Sequence, residues 1–412
     1  MATEPFPPQG SDAPTHGLPR MAWIKQTSIA AAILCLAAVA GAVGAEENDA
    51  DRKKRPEWML AWDEGLPPEI LSVAKEKREV NRKKVYDEIN WGVAAKYPDD
   101  LGLEKDPAVL LKVDFDDGKV PMNSRDAWAG VAWPSTTRIS EEEPVTGKYC
   151  AMNEWKGGAT GGTASRWHLG NPDERERPAY FMRLYHKFDG DWYGEGKVLG
   201  MKGFGFVIQA VKHNADLKCD GKNWFGSELQ WVGWGPSAKP GTYKGLVIQG
   251  HYYSYMPYPG EVVASLGEEL RPSECRFSAY NTAWLQLGEW YCFEVAVYPN
   301  TPGKADGEGR LWINGVLRTR ITNMRYRDVA NTFKVYATIN NYRTQNGGTT
   351  DDVRRWLDNV VVSRRYIGPI KFSNERLKYL VQNGTVVHTG DEPVLKSMRE
   401  AMARKKERSP GK

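Results

Sequence analysis

A row of polar side chains able to exchange protons is predicted in the segment Leu246–Tyr255. If this segment is one β-strand, its alternation places Gln249, His251, Tyr253 and Tyr255 on the same face. Burying such a row without partners would cost about 1–3 kcal/mol for each unpaired group, so we predict that it faces water or a ligand. Histidine and tyrosine serve as general acids and bases, and the row is therefore a candidate for proton-transfer chemistry.

Two further segments are predicted to place polar side chains on one face of a strand. In the first, alternation puts Arg183 and Tyr185 on the same side, and Lys197 follows in a glycine-containing connection. In the second, Glu228 and Gln230 share a side, opposite an apolar set. Cationic and amide side chains of this kind can bind an anionic group.

The segment Gly288–Leu317 reads as two strands joined by a turn rich in Gly, Pro, Asn and Asp. Within Trp290–Tyr298, one face is apolar and the other carries polar residues, including Glu294. A second tight turn is predicted at Asn314-Gly315. We expect this hairpin to belong to a sheet with one dry face and one face that binds a polymeric ligand, with Glu294 lining the binding surface.

The composition favours an all-β protein. The 412 residues include 16 Trp, 19 Tyr and 41 Gly, whereas a helical protein of this size would be richer in Ala, Leu and Glu. The net charge of +4 is small, and no Lys/Arg run forms a recognisable nucleic-acid module. We therefore predict a β-sandwich (jelly roll) of two antiparallel sheets, with short helical N- and C-terminal extensions and no nucleic-acid partner.

The N-terminal residues have the features of a secretory leader. Lys25 precedes an apolar run from Ile29 to Val43, which ends in small residues at Ala45. Residues 1–45 are predicted to be a signal peptide or leader, and the sequence leaves open whether translation starts at Met1 or Met21. The expected location is secreted or periplasmic, with no membrane association after cleavage; a retained membrane anchor is the alternative.

Three zones follow the predicted leader. Residues 46–107 are charged and helix-prone, which predicts a helical N-terminal extension. Residues 108–370 have strand patterns throughout and suit a single large jelly-roll domain. Residues 371–412 form a basic C-terminal tail, with a helix predicted near residues 393–406.

The cysteines indicate structural rather than metal-binding roles. Removing the leader with Cys35 leaves Cys150, Cys219, Cys275 and Cys292 in a chain expected to meet an oxidising compartment. Their spacing fits no zinc pattern, and the four residues allow three disulfide pairings between which the sequence does not choose.

Four segments together resemble the jelly-roll polysaccharide lyases that cleave alginate and glucuronan, within the wider concanavalin A-like superfamily. The segments are YPNTPGKADGEGRLWINGVL, MRYR, GKVLGMKGFG and WLDNVVVS, in the same order as in those lyases. The resemblance covers about residues 110–368. This chain departs from the family pattern at Leu199, where those lyases prefer Pro, and it lacks a clear S-x-R strand before the tyrosine pair.

The resemblance implies β-elimination on an acidic, uronate-containing polysaccharide. The step needs a group that neutralises the C5 carboxylate, a base that takes the C5 proton and an acid that protonates O4. The residues implied to bring about proton transfer are Lys197, His251, Tyr253 and Tyr255. The residues implied to bind substrate are Arg183, Tyr185, Gln249, Glu294 and Gln230.

No cofactor is required by this chemistry. Asp116, in the segment FDDG, and Asp358, in the closing strand, are predicted to be able to form a structural calcium site, because hard cations prefer oxygen ligands. A turn and a satisfied buried carboxylate explain the same residues.

Two other functions remain open at this point. One is a non-catalytic glycan-binding sandwich, since the fold implies a glycan more directly than it implies chemistry. The other is a glycoside hydrolase, which needs two carboxylates at a suitable separation, although no E-x-D-x-E strand is present.

Overall fold

The computed structural model divides the chain into two compact units, Met1–Glu47 and Asn48–Lys412, and all the residues that it describes lie in the second unit. None of the helices in the described part is long and apolar enough to cross a membrane. The predicted leader, Lys197 and the helix predicted near residues 393–406 fall outside the described residues. The described residues are 90–120, 137–156, 161–171, 179–190, 200–210, 219–232, 246–247, 249–266, 268–280, 285–286, 288–330, 333–343, 352–383, 385 and 387–388.

The described residues form an all-β sandwich, as predicted, with a single α-helix, α1 (Asn374–Gln382), among them. Short 3-10 helices span Val93–Lys96, Pro98–Asp100, Leu103–Lys105 and Pro259–Glu261. The strands are β1 (Val109–Val113), β2 (Thr137–Ser140), β3 (Cys150–Trp155), β4 (Gly161–His168), β5 (Tyr180–Gly190), β6 (Gly200–Ala210), β7 (Trp224–Val232), β8 (Leu246–Val247), β9 (Gln249–Tyr255), β10 (Val263–Ala264), β11 (Glu269–Ser273), β12 (Arg276–Tyr280), β13 (Leu285–Gln286), β14 (Trp290–Tyr298), β15 (Gly307–Ile313), β16 (Val316–Met324), β17 (Phe333–Arg343), β18 (Val353–Ser363) and β19 (Val387–His388).

Two large sheets contain nearly all of these strands. The ten-stranded sheet has the order β10-β16-β15-β14-β5-β18-β3-β2, with β1 paired to β18 and β19 to β14. The seven-stranded sheet has the order β11-β12-β9-β7-β6-β17-β4. Strand pairs in both sheets are antiparallel except for β14 with β19. A small pair, β8 with β13, stands apart from both sheets in the described residues.

The main core lies between the inner faces of the two sheets. Alternation sends Phe293 and Val295 of β14 into this core, where they join Leu229 and Trp231 of β7 from the opposite sheet. The predicted turn between β15 and β16 is confirmed, because Asn314 and Gly315 both have positive φ angles, as a two-residue hairpin turn requires.

The outer face of the ten-stranded sheet is closed, which contradicts the expectation that the hairpin presents a ligand-binding surface. Cys292 and Ala296, on the second face of β14, are buried in two further clusters. The first cluster includes Val93 and Leu103 from the N-terminal 3-10 segments, and the second includes Leu377 of α1. Chain segments at both ends of the sandwich therefore cover this face.

Buried charges on the covered face bind these terminal segments. Arg183 on β5 and Asp100 form an ion pair in which both side chains are completely buried. Glu294, opposite Arg183 on the neighbouring strand, accepts backbone N–H hydrogen bonds from Ile367 and Gly368, each at 2.8 Å. The predicted substrate-binding roles of Arg183 and Glu294 are therefore wrong, because both side chains are engaged inside the protein.

Tyr185 lies on the same covered face. Its side chain is completely buried, and its hydroxyl accepts the backbone N–H of Ile370 at 2.9 Å. The substrate-binding role predicted for Tyr185 is also wrong, since a ligand cannot reach this hydroxyl.

Asp116 and Asp358 hold the segment that precedes β3. Asp358 is completely buried and accepts the backbone N–H of Val145 at 2.8 Å, while Asp116 accepts that of Lys148 at 2.7 Å. Burial raises the pKa of Asp358 well above its ordinary value. These backbone N–H groups are sufficient hydrogen-bond partners for both carboxylates without a metal. The described residues contain no group of three His, Cys, Asp or Glu side chains that could hold a metal ion. The calcium site stays a prediction.

We expect Glu294→Ala to lower the free energy of unfolding by about 2–5 kcal/mol, because two buried backbone N–H groups lose their acceptor. Urea unfolding followed by tryptophan fluorescence measures this change. The matched control is Glu261→Ala, at an exposed carboxylate, which should change stability by less than about 0.5 kcal/mol. An equal effect of both substitutions would contradict the anchoring role of Glu294.

Candidate active site

The strand register of the seven-stranded sheet aligns five side-chain positions across its outer face. Tyr253 of β9 lies opposite Glu228 of β7, which lies opposite Gly205 of β6. The same row continues through Thr338 of β17 to Arg166 of β4. Because residues in one row of a sheet point to the same side, a phenol, a carboxylate and a guanidinium share this face.

The two neighbouring rows add four further side chains. His251 pairs with Gln230, which pairs with Lys202, on one side of the first row. Tyr255 pairs with Gly226 on the other side. Lys202, Gln230 and Tyr255 are partly exposed, so this face differs from the closed outer face of the ten-stranded sheet.

A cavity of about 190 Å³ opens on this face, at its middle strands. Of the described residues that line it, Glu228 alone carries a carboxylate, whereas Arg166 and Lys202 each carry a positive charge. The lining residues are Arg166, Lys202, Phe206, Val207, Gln209, Trp224, Gly226, Ser227, Glu228, Tyr255 and Asn340.

A lysine and a tyrosine meet inside this cavity. The Nζ atom of Lys202 donates a hydrogen bond to the Oη atom of Tyr255 at 3.1 Å. The Tyr255 ring packs nearly perpendicular to that of Tyr253, with 4.9 Å between ring centroids, and lies 5.0 Å from the Trp224 ring. These rings limit the movement of the phenol and hold its hydroxyl beside the lysine.

Both phenols of the pair are protonated at neutral pH. Burial, followed by the charge of Glu228, raises the pKa of Tyr255 to about 12, although its hydrogen bond with Tyr253 acts in the opposite direction. Burial and the neighbouring Tyr255 raise the pKa of Tyr253 as well. Each hydroxyl can therefore donate a proton to a group that develops negative charge.

Glu228 lies at the centre of the polar network. Its side chain is 5% exposed, and its two carboxylate oxygens accept hydrogen bonds from the amides of Gln230 and Asn340. Burial raises the pKa of Glu228, although Lys202 and the two amides act in the opposite direction. The carboxylate thus fixes two amide groups, each of which carries a second N–H donor.

Small residues separate Arg166 from Glu228 in the central row. Gly205 lies between the two in the central row, and a Cβ atom there would come within 2.2 Å of the Ser227 carbonyl oxygen. A glycine at this position therefore permits close strand packing and leaves space above the sheet. Burial lowers the pKa of Arg166, but arginine keeps its charge in proteins, so the cavity retains a guanidinium.

His251 is in the same region but is neutral. Its side chain is 2% exposed, and burial, followed by the charge of Arg271, lowers its pKa to about 3. Its ring packs edge-on to Tyr253 with 6.1 Å between centroids. The face therefore holds a buried, uncharged imidazole next to the tyrosine pair.

The structure brings together four of the residues predicted from the sequence: His251, Tyr253, Tyr255 and Gln230. Gln249 begins the same strand and pairs with Val232. Their assigned roles in substrate binding and proton transfer stay predictions.

Sequence reasoning did not select Lys202, Glu228, Arg166 or Asn340 for the site. The available signals were the position of Lys202 inside the family-like segment GKVLGMKGFG and the alternation that groups Glu228 with Gln230. Arg166 and Asn340 gave no comparable signal, because their place depends on pairing between strands distant in sequence.

Comparison with known proteins gives similarity at the level of structure only. No family model matches the chain, and no curated protein matches its sequence. The alginate lyase Aly36B is similar in structure at 19% identity, covering 63% of this chain and 97% of its own, with a TM-score of 0.42. The marine alginate lyase from Aplysia kurodai has 15% identity, covers 63% of this chain and 99% of its own, and has a TM-score of 0.41.

An endo-β-1,4-glucuronan lyase from the fungus Trichoderma reesei is also similar, at 14% identity, covering 62% of this chain and 95% of its own, with a TM-score of 0.36. The solved structures that resemble this chain thus include polysaccharide lyases for alginate and for glucuronan. Similarity of this degree does not extend to activity or to individual residues.

The raised pKa of Glu228 predicts a pH-dependent contribution to stability. Because burial favours the protonated carboxyl, the contribution is complete below its ordinary pKa of 4.5 and is lost as the pH rises through the higher folded-state pKa. Glu228→Gln cannot ionise and should not show this loss. We expect the stability of wild type relative to Glu228→Gln to fall as the pH rises from about 4 to about 7.

Urea unfolding of both proteins at several pH values measures the difference, in which the titration of all other groups cancels. A difference that stays constant over this range would contradict the raised pKa of Glu228.

Proposed function

We propose that this protein is a secreted polysaccharide lyase that cleaves a uronate-containing polysaccharide, of the alginate or glucuronan type, by β-elimination. The observation that carries the proposal is the 3.1 Å contact between Lys202 Nζ and Tyr255 Oη, inside a cavity with a second cation, Arg166. A positively charged cavity favours an acidic sugar, and an adjacent amine and phenol supply the two proton-transfer groups that elimination needs.

In this proposal Arg166 neutralises the carboxylate at C5 of the bound uronate, assisted by the second N–H groups of Gln230 and Asn340. Neutralisation is needed because removing the C5 proton places negative charge on that carboxylate. Glu228 does not touch the reacting atoms; it fixes the two amides through hydrogen bonds from both.

Lys202 first releases a proton to the solvent, and the amine so formed then takes the C5 proton. The electron pair of the C5–H bond forms the C4–C5 double bond, and the C4–O4 bond breaks with its electron pair remaining on oxygen. Tyr255 donates its phenolic proton to O4, and the proton on Lys202 returns to Tyr255 across their hydrogen bond. The products are an unsaturated uronide and a new sugar end, and both side chains are restored.

Non-catalytic glycan binding is the second candidate function. Tyr255 and Trp224 are partly exposed and pack together against the buried Tyr253, and exposed rings of this kind stack on sugars. Glycoside hydrolysis has less support, because the described lining of the cavity offers one carboxylate rather than the two that this reaction uses.

We expect incubation with alginate or glucuronan to produce the ultraviolet absorbance of an unsaturated uronide, because β-elimination creates a C4–C5 double bond conjugated with the carboxylate. Neutral glucans, which lack the carboxylate, serve as the control and should give no absorbance. Binding to a uronate polymer without any absorbance increase, across a panel of such polymers, would favour the glycan-binding function instead.

Tyr255→Phe and Lys202→Met should each lower kcat by roughly 100- to 10,000-fold, the range for loss of a general acid or base. Both keep the packing volume, so the melting temperature and the affinity for a uronate oligosaccharide should change little. The matched controls are Tyr379→Phe and Lys304→Met, at exposed positions, which should retain full activity. A parallel loss of stability and activity in Tyr255→Phe would identify that tyrosine as structural.

A further inference from the structure

The fold removes the ambiguity in cysteine pairing that the sequence leaves open. Cys150 and Cys292 belong to β3 and β14, and β18 and β5 lie between these two strands. With strands about 4.8 Å apart, their Cα atoms are about 14 Å apart. A disulfide requires Cα atoms within about 7 Å, so these two cysteines cannot pair with each other.

Cys150 and Cys292 are also separated from the other two cysteines. Both pack in the cluster on the covered outer face of the ten-stranded sheet, away from the seven-stranded sheet. Cys219 precedes β7, and Cys275 lies in the turn between β11 and β12, so both lie next to strands of the seven-stranded sheet. Of the pairings among these four residues, only Cys219 with Cys275 remains.

Both of these cysteines lie at the end of β9. Arg276, which follows Cys275, is paired with Tyr255 at the last position of β9, and Tyr255 is paired with Gly226 near the start of β7. The turn that contains Cys275 and the segment that leads from Cys219 into β7 therefore flank the same strand end.

Hydrogen bonds tie both segments to the residues directly after β9. The carbonyl oxygen of Cys275 accepts the N–H of Met256 at 3.1 Å. Two residues later, the Tyr258 hydroxyl donates to the Asp328 carboxylate at 2.7 Å, and the Asp328 N–H donates to the carbonyl of Gly221 at 2.8 Å. Residues 256–258 thus connect the turn around Cys275 to the segment around Cys219.

The two thiols differ in accessibility. Cys275 is partly exposed, whereas Cys219 is 5% exposed. Burial, with a smaller effect of the nearby Cys275, raises the pKa of Cys219. The accessible thiol can react with a small oxidant, and the buried thiol beside it can then complete the bond.

We propose that Cys219 and Cys275 form a disulfide when the protein meets a small oxidised disulfide such as oxidised glutathione. The thiolate of Cys275 attacks one glutathione sulfur, which forms a mixed disulfide and releases one glutathione. The thiolate of Cys219 then attacks the Cys275 sulfur and releases the second glutathione. Two cysteine thiols are oxidised, one glutathione disulfide is reduced, and the two cysteine protons end on the two released thiols.

The bond would join the entry of β7 to the turn beside β9, enclosing both strands in one covalent loop. Since β7 carries Glu228 and β9 carries Tyr255, the bond stabilises the part of the sheet that bears the candidate site. The inference does not depend on the proposed lyase activity, because the bond and its effect on stability are measured without substrate.

Peptide mapping tests the pairing in the full chain. The protein is incubated with oxidised glutathione, its remaining thiols are alkylated in denaturant, and it is digested without reduction for mass spectrometry. We expect a peptide pair linked through Cys219 and Cys275, with Cys150 and Cys292 alkylated. A link that involves Cys35, Cys150 or Cys292, or the absence of any link, would overturn the proposal.

Thermal unfolding gives an independent readout. Oxidation should raise the melting temperature of the wild type by about 5 °C or more, because the bond restricts the unfolded chain. Cys275→Ser should lose this increase, whereas Cys150→Ser should keep it, each compared with its own reduced form. An oxidation-dependent increase that persists in Cys275→Ser would contradict the assignment, whatever the stability of the reduced variants.

Discussion

The burial of charge on one face of the ten-stranded sheet is the constraint on which the rest of the structure depends. Arg183 and Glu294 lie side by side on β5 and β14 with almost no exposure, and buried charges are strongly destabilising unless they are paired or hydrogen-bonded. Asp100 and the backbone N–H groups of residues 367–368 supply those partners. The segments at both ends of the sandwich must therefore cover this face.

Polar residues with the same alternating pattern in the sequence have different roles on the two sheets, because only the outer face of the ten-stranded sheet is covered. On the ten-stranded sheet, Arg183, Tyr185 and Glu294 are buried and bond the terminal segments to the sheet. On the seven-stranded sheet, Lys202 and Tyr255 remain partly exposed in a cavity, with Glu228 beneath them. The same alternation of residue types gives stability on one sheet and a candidate site on the other.

Much of the sandwich was predictable from local patterns. The period-2 alternation of Trp290–Tyr298 and the Asn314-Gly315 turn depend on neighbours in sequence, and both were confirmed. The site was predictable only in part: His251, Tyr253 and Tyr255 share one strand, so their common face follows from alternation. Arg166 and Asn340 could not be placed, because their approach to Glu228 depends on the register of β4, β17, β6 and β7.

The sequence by itself determined which residues share a face of each strand, because alternation is a property of the backbone. It also determined the position of the β15–β16 turn, because Asn and Gly tolerate positive φ. Only the tertiary structure decided which faces are covered, which cysteines can meet and which lysine lies beside Tyr255. These features depend on strand order and on the docking of segments far apart in the chain, and no local pattern encodes them.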